Sequence, residues 1–185
     1  MKSLGFVNYA RLLAGISLVI FSFNSCKKDD DNNNNDPAYV GTWSRTDTIP
    51  VDTFALQVKD LLTFTKTTVT NMGQIYNPDT DEWLDLMGMK GTFTASGKTL
   101  DITVDQVGIS DFDTLGIPSG NIQYFTKDDA EFNLVLNELD QKENFQAEYN
   151  VSGNKLTMKV DDNDDGDFTD DGETQVYTKE SGSGM

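Results

Sequence analysis

Apolar and polar residues alternate strictly along several stretches of the chain beyond Ala38. Residues 100–105, 145–151 and 155–160 each place their apolar side chains on every second position. A period of two gives a strand one apolar and one polar face, because successive side chains point to opposite sides of a sheet. Such strands are typical of antiparallel sheets with one solvated face. The pattern therefore predicts an all-β domain over 38–180, followed by a flexible tail at 181–185.

Turn-forming residues separate the alternating stretches, at 77–79 (Asn-Pro-Asp), 96–98 (Ser-Gly-Lys) and 152–154 (Ser-Gly-Asn). Two of these turns lie in an internal echo. Residues 64–104 and 125–160 both begin with Phe-Thr-Lys and both turn at Ser-Gly into an alternating strand. Two long repeats indicate one barrel in two halves rather than a solenoid. We therefore expect an antiparallel meander barrel of about eight to ten strands.

One segment of the domain fits two patterns. Phe132, Leu134 and Leu136 alternate as they would in a strand, whereas Phe132, Val135, Leu136 and Leu139 lie on one face of a helix. The internal echo favours a strand here, with a helix as the alternative.

The first 25 residues have the pattern of an export signal. Lys2 and Arg11 are basic, and the apolar run 12–21 that follows is too short to span a bilayer of roughly 30 Å as a helix. The run leads to Ser25 and Cys26, which resemble the lipobox of bacterial lipoproteins. The resemblance implies that the signal is removed and that Cys26 is lipidated; the alternative is plain secretion with an incidental cysteine.

In the segment 26–37, residues 27–36 after Cys26 are Lys, Asp and Asn only, and Pro37 ends the segment. Such a composition predicts a solvated tether between the lipid and the domain. Its acidic cluster resembles the signal that sends some Gram-negative lipoproteins to the outer face of the outer membrane; a simple spacer is the other interpretation. We expect an outer-membrane lipoprotein whose membrane partner is reached through the lipid anchor.

Charge and composition exclude several function classes. The formal charge of the full chain is −17, and without Lys2 and Arg11 the remaining 12 basic and 31 acidic side chains give −19. Such a surface repels nucleic acid. The sequence has no histidine and only one cysteine, so histidine-dependent triads are excluded. Acids near Trp83 are better explained by a turn than by carboxylate-pair catalysis. We predict a protein that is not an enzyme; the oligomeric state stays open.

The start of the domain resembles the Gly-x-Trp opening of lipocalins (calycins) and of bacterial lipocalin-like lipoproteins, with Gly41 and Trp43 in the motif. The chain also closes on a Tyr-x-Lys strand, at Tyr177 and Lys179, as those lipoproteins commonly do. The resemblance implies that Trp43 closes the barrel floor and meets Lys179 through a cation–π contact. It also implies either a small apolar ligand inside the barrel or a packed barrel with a structural or interaction role.

The most acidic segment of the chain is 161–173, between two predicted strands. Asp161, Asn163, Asp165 and Gly166 match the first half of an EF-hand-type loop, in which oxygen ligands bind Ca²⁺. The final acid comes one residue late and helices do not flank the loop, so it resembles a calcium loop set in a hairpin. A solvated acidic turn without bound metal is the alternative. The candidate ligands are Asp161, Asn163, Asp165, Asp167 and Glu173.

The segment 107–120 reads as a long connection that carries apolar residues at intervals, namely Ile109, Phe112, Leu115 and Ile117. These side chains are candidates for a lid or a ligand wall at the barrel mouth. The alternative is that they plug one end of the core.

Overall fold

The computed structural model describes residues 36–51, 54–114, 116–139, 141–161, 168, 170 and 173–181. The predicted signal and Cys26 lie outside these ranges. The described residues form nine strands and one helix. They are β1 (Gly41–Val51), β2 (Phe54–Phe64), β3 (Thr68–Asn77), β4 (Glu82–Ser96), β5 (Thr99–Phe112), β6 (Pro118–Thr126), α1 (Ala130–Glu138), β7 (Asn144–Ser152), β8 (Lys155–Val160) and β9 (Thr174–Lys179).

Eight of the described strands close into an antiparallel barrel. Each strand from β1 to β5 pairs with the next, β5 pairs with β7, and β7, β8 and β9 follow in order. The pairing of β9 with β1 closes the ring. Strand β6 pairs with the second half of β5, beyond the residues that pair with β7. The predicted all-β, antiparallel meander barrel is confirmed.

One end of the barrel is closed by packed aromatic rings, and we call this end the floor. The rings of Tyr39, Phe64, Phe93 and Tyr149 meet edge to face, with centroids 5.2–6.0 Å apart. This arrangement is the preferred geometry for aromatic pairs. The rest of the floor core is aliphatic and aromatic: Trp43, Leu62, Val69, Leu100, Ile102, Ala147, Leu156, Met158 and Tyr177.

The hairpins at the floor end turn where the sequence predicted. Gly97 and Gly153 have φ angles of +63° and +59°. These left-handed conformations favour glycine, because a Cβ makes them sterically unfavourable for other residues. The two Ser-Gly turns of the internal echo are therefore equivalent hairpins, β4–β5 and β7–β8. The echo does not extend to the segment before each hairpin, which is strand β3 in one half and helix α1 in the other.

The strand predicted for residues 132–136 is wrong, and the helical alternative is the structure. In α1, Phe132, Val135 and Leu136 are buried, while Leu134 is 64% exposed. Three buried positions at this spacing fit a period of 3.6 and not of two. Within the described residues, no helix is long and apolar enough to cross a membrane.

Helix α1 packs against the inner face of the sheet. Its buried side chains contact Val104 and Val107 of β5. Val107 is paired with Met89, and the same ladder row leads across β3 to Leu62 of the floor core, so all three point inward. The helix therefore covers the interior between β6 and β7, where the chain leaves the sheet and returns to it.

The segment 107–120, predicted as a long connection, is mostly strand. Strand β5 continues to Phe112 and β6 begins at Pro118, and these two residues are paired. The pairing of β4 with β5 shifts between Lys90, which pairs with Gln106, and Gly91, which pairs with Val104. Because residue 105 is skipped, the alternation of 100–104 does not continue in phase into 107–112. A Cβ at Gly91 would lie 2.4 Å from the Thr103 carbonyl oxygen, so this shift depends on glycine.

Candidate ligand site

The upper half of the barrel, which we call the mouth, has an apolar inner wall that is only partly buried. Ladder pairing places Val58, Ile75 and Leu84 side by side on the inner face of β2, β3 and β4. One row closer to the floor, Met87 of β4 pairs with Ile109 of β5 on the same face. Val58 is 6% exposed, whereas the other four are half-buried. The fold therefore covers this apolar wall only in part.

A charged cluster lies on the inner face beside this wall. The guanidinium of Arg45 in β1 forms two ion pairs of 2.9 Å, from Nε to Asp47 and from Nη2 to Asp60 of β2. The three side chains are 18%, 33% and 23% exposed, respectively. Arg45 and Asp60 are directly opposite each other in the β1–β2 register, one row above Trp43 and Leu62. The cluster thus stands at the boundary between the floor core and the mouth.

Tyr177 and Gln175 of β9 line the other side of the cluster. The Arg45 Cζ atom lies 5.7 Å from the centroid of the buried Tyr177 ring, a cation–π distance. The Tyr177 hydroxyl donates a hydrogen bond to the Gln175 side-chain oxygen. Burial, reinforced by the nearby Asp60 carboxylate, raises the pKa of Tyr177 above its ordinary value. The phenol is therefore neutral at physiological pH and serves as a hydrogen-bond donor.

The Asp60 carboxylate is held in a partly desolvated position beside Arg45. Burial raises its pKa above the ordinary value, Arg45 opposes that shift, and the neighbouring Asp47 adds to it. The net direction is upward, because removal of the carboxylate from water outweighs the attraction of a guanidinium that is shared with a second acid. A cation placed near Asp60 would therefore stabilise its ionised form.

The described pairing of β1 with β9 is a short seam at the floor end of the two strands. The pairing includes only Trp43 with Lys179 and Ser44 with Thr178 in the described residues. On the outer face, the Lys59 Nζ atom and the Glu180 carboxylate form an ion pair of 3.0 Å across this seam. Hydrogen bonds from Ser44 and Lys59 lower the pKa of Glu180. Arg45 lies directly above the last of these paired rungs, so its cluster stands beside the part of β1 that has no described pairing with β9.

The structure brings together the two residues predicted for the barrel floor. Trp43 is fully buried, its Nε1 donates a 2.8 Å hydrogen bond to the Tyr39 carbonyl, and the Lys179 Nζ atom lies 5.2 Å from its ring centroid. The structure also shows why the Gly-x-Trp motif begins with a glycine, Gly41. Its φ is +134°, and a Cβ there would lie 3.2 Å from the Lys179 Cε atom. Glycine therefore leaves room for the lysine side chain beside the tryptophan.

The four residues predicted as a lid or wall lie in different places. Ile109 is half-buried on the inner face and belongs to the mouth wall. Phe112 is the last residue of β5, and Ile117 is 40% exposed in the short β5–β6 connection. Leu115 lies outside the described residues. The role of these residues as a lid stays a prediction.

Of the five predicted calcium ligands, only Asp161 and Glu173 belong to the described residues. Asp161 follows β8, and Glu173 is 3% exposed immediately before β9, so both predicted flanking strands are present. The Glu173 carboxylate accepts a 3.0 Å hydrogen bond from the Asp170 amide. Among the residues with described positions, no group of three or more acidic or cysteine side chains could hold a metal. Asn163, Asp165 and Asp167 lie outside them, so the calcium site stays a prediction.

The sequence reasoning missed the Arg45 cluster. The sequence did indicate part of it, because Trp43, Arg45 and Asp47 occupy every second position of one strand and therefore lie on the same face. Two charged residues on the face that carries the floor tryptophan indicate charges inside the barrel. The partner acid on β2 could not be assigned without the register.

A shallow depression of about 400 Å³ lies elsewhere, on the outer face of β3, β4 and β5. Lys90 and Asp105 are its charged lining residues, and threonine hydroxyls form much of the rest. It is open to solvent, and its lining is polar and apolar in about equal parts. The inner wall of the mouth is therefore the better candidate for a ligand site.

A comparison of the sequence with protein-family models matches none of them, and a comparison with curated proteins finds no significant similarity.

Proposed function

We propose that this protein is a lipid-anchored lipoprotein of the bacterial outer membrane whose lipocalin-like barrel binds a small apolar ligand in its mouth. The observation that carries the proposal is the contrast between the two halves of the barrel. The floor is filled by packed aromatic rings, whereas the mouth wall at Ile75, Leu84 and Met87 is only half-buried. A concave, mostly apolar wall with a few polar groups is typical of small-molecule sites.

The membrane address rests on the sequence. A short apolar run ends at Ser25 and Cys26, and the acidic tether that follows separates the lipid from the barrel. Each buried methylene of an acyl chain contributes about 0.8 kcal/mol, so two or more chains make anchoring stable.

Replacement of Cys26 by serine is expected to move the protein from the membrane fraction to the soluble fraction. The reason is that the serine side chain offers no thiol for acylation. Fractionation of cells that express each form measures the change, with Ser25→Ala as the control because alanine is equally small before the cleavage site. Retention of the Cys26→Ser chain in the membrane fraction contradicts lipidation as the anchor.

The ligand proposal rests on uncovered apolar surface. A leucine or isoleucine side chain that is transferred from water to an apolar contact gains roughly 1.5–3 kcal/mol when burial is complete. For the half-buried residues of the mouth wall, folding has realised only part of this free energy, and the rest is available to a ligand. A ligand that covers Leu84 and its neighbours obtains this free energy without any change in the packed floor.

Substitution of Leu84 by glutamine is expected to weaken binding of an apolar fluorescent dye about fivefold, since about 1 kcal/mol of apolar contact is lost. The control is Leu61→Gln, because Leu61 is also half-buried but lies on the outer face of β2. Equal affinities of the two variants contradict the mouth as the site.

The second candidate is a structural or interaction module of the envelope, which the fully packed floor favours. Its expected outcome differs. If the chain binds no apolar dye, and organic extraction followed by mass spectrometry yields no small molecule, the packed-barrel role replaces ligand binding.

A further inference from the structure

We propose that the mouth selects an amphiphile with a cationic head, such as a long-chain amine or quaternary ammonium, and that Asp47 and Asp60 receive that head. This inference rests on the proposed ligand site and names the chemical class of its ligand. It is carried by the position of the Arg45 cluster, which joins the apolar wall directly.

The charge balance of the cluster favours a cation. One guanidinium faces two carboxylates at 2.9 Å each, which leaves one negative charge uncompensated among these three side chains. The remaining neighbours on β9, Tyr177 and Gln175, are neutral. A positive head compensates the surplus charge, whereas a carboxylate head adds a third acid to a partly desolvated site.

The geometry also limits what Arg45 can offer to an anion. Its Nη2 atom donates to Asp60, its Nε atom lies 2.9 Å from an Asp47 carboxylate oxygen, and its Cζ atom is 5.7 Å from the centroid of the Tyr177 ring. The Nε/Nη2 edge, one of the two edges of a guanidinium that can bind a carboxylate or phosphate, therefore faces two acids of the protein. The carboxylates, by contrast, have two oxygens each, which can accept further hydrogen bonds from a primary ammonium and attract a quaternary ammonium by charge alone.

The head and the chain of such a ligand have adjacent sites. Asp47 is opposite Val58 in the β1–β2 register, and the same row continues to Ile75 and Leu84. The row below contains Asp60, then Gly73, then Met87. A Cβ at Gly73 would lie 3.1 Å from the Met87 Cγ atom, so the methionine side chain occupies the space above the glycine. An apolar chain can thus run along the wall from the carboxylates towards β5.

The strongly negative chain raises the local concentration of any cation, so the selectivity must be separated from this general effect. Local recognition depends on Asp47 and Asp60, whereas general attraction changes equally with the loss of any acid. Asp101 provides the matched control because it is exposed on β5, far along the ladder from the mouth, and Asp101→Asn removes the same charge.

The experiment measures displacement of the apolar dye by three decyl compounds at 150 mM salt: decyltrimethylammonium, decanol and decanoate. The chain length is equal, so only the head differs. We expect decyltrimethylammonium to bind at least about tenfold more tightly than decanoate, with decanol between them. In Asp47→Asn the ratio is expected to fall about fivefold or more, and in Asp101→Asn to stay unchanged.

Three results separate the inference from the proposed function. If all three compounds displace the dye equally, the ligand site stands and the cationic preference is wrong. If Asp101→Asn lowers the ratio as much as Asp47→Asn, the preference is a general charge effect and the inference is again wrong. If the dye does not bind at all, the ligand site and the inference fail together.

Discussion

Truncation of Trp43 to alanine is expected to lower the free energy of unfolding by about 3–5 kcal/mol, the range for large aromatic residues in a core. Trp43 is fully buried at the floor, and its indole nitrogen donates to the Tyr39 carbonyl at 2.8 Å. Alanine leaves a cavity in the floor core, whose rings of Tyr39, Phe64 and Phe93 are already packed edge to face against one another. Urea unfolding followed by circular dichroism measures the loss.

The matched control for this change is Trp83→Ala. Trp83 lies on the outer face of β4, half-buried, and its ring contacts only Tyr76 among the described aromatic pairs, with centroids 5.4 Å apart. Its truncation is expected to cost about 1 kcal/mol, as for a cross-strand aromatic pair. Equal losses for the two tryptophans would show that the floor is not the main core of the barrel.

Truncation of Phe132 to alanine is expected to cost about 3–5 kcal/mol as well. Its side chain is 1% exposed and packs with Val104 and Val107 on the inner face of β5. The helix is only nine residues long, and helices shorter than about 12 residues are marginal without tertiary packing. Loss of the phenylalanine therefore weakens both the core contact and the helix itself.

The control for the helix is Leu134→Ala, since Leu134 is 64% exposed on the opposite side of α1 and is expected to change stability by no more than about 0.5 kcal/mol. Hydrogen exchange of the amides of 130–138 provides a second measurement. We expect faster exchange in Phe132→Ala than in Leu134→Ala. If both variants lose similar stability and exchange alike, residues 132 and 134 are equally buried, and the helix assignment is contradicted.

The sequence predicted the strands best where the alternation is regular. Strands β8 and β9 lie within the predicted bounds at either side of the acidic segment, and the Ser-Gly turns fall at Gly97 and Gly153. A period of two is a local property, because it follows from the geometry of one strand. The prediction was weaker where a register shift interrupts the alternation, as in β5, and where two periods fit the same residues, as in α1.

The candidate site depends on the register, which the sequence leaves undefined. Arg45 and Asp60 are 15 residues apart, and the alignment of β1 with β2 decides whether their side chains meet. A slip of one residue would turn Asp60 to the outer face and leave Arg45 without its second acid inside the barrel.

By itself, the sequence determined the all-β character of this protein, the turns of its hairpins and the alternation that gives each strand an apolar face, since these properties arise from neighbours along the chain. The tertiary structure alone decided how the sheet closes through β5–β7 and β9–β1, that residues 130–138 form a helix, and that charges meet beside the mouth wall. The physical reason is that closure and burial depend on contacts between segments that are distant in sequence. The free energy of those contacts cannot be predicted from the local pattern of residues.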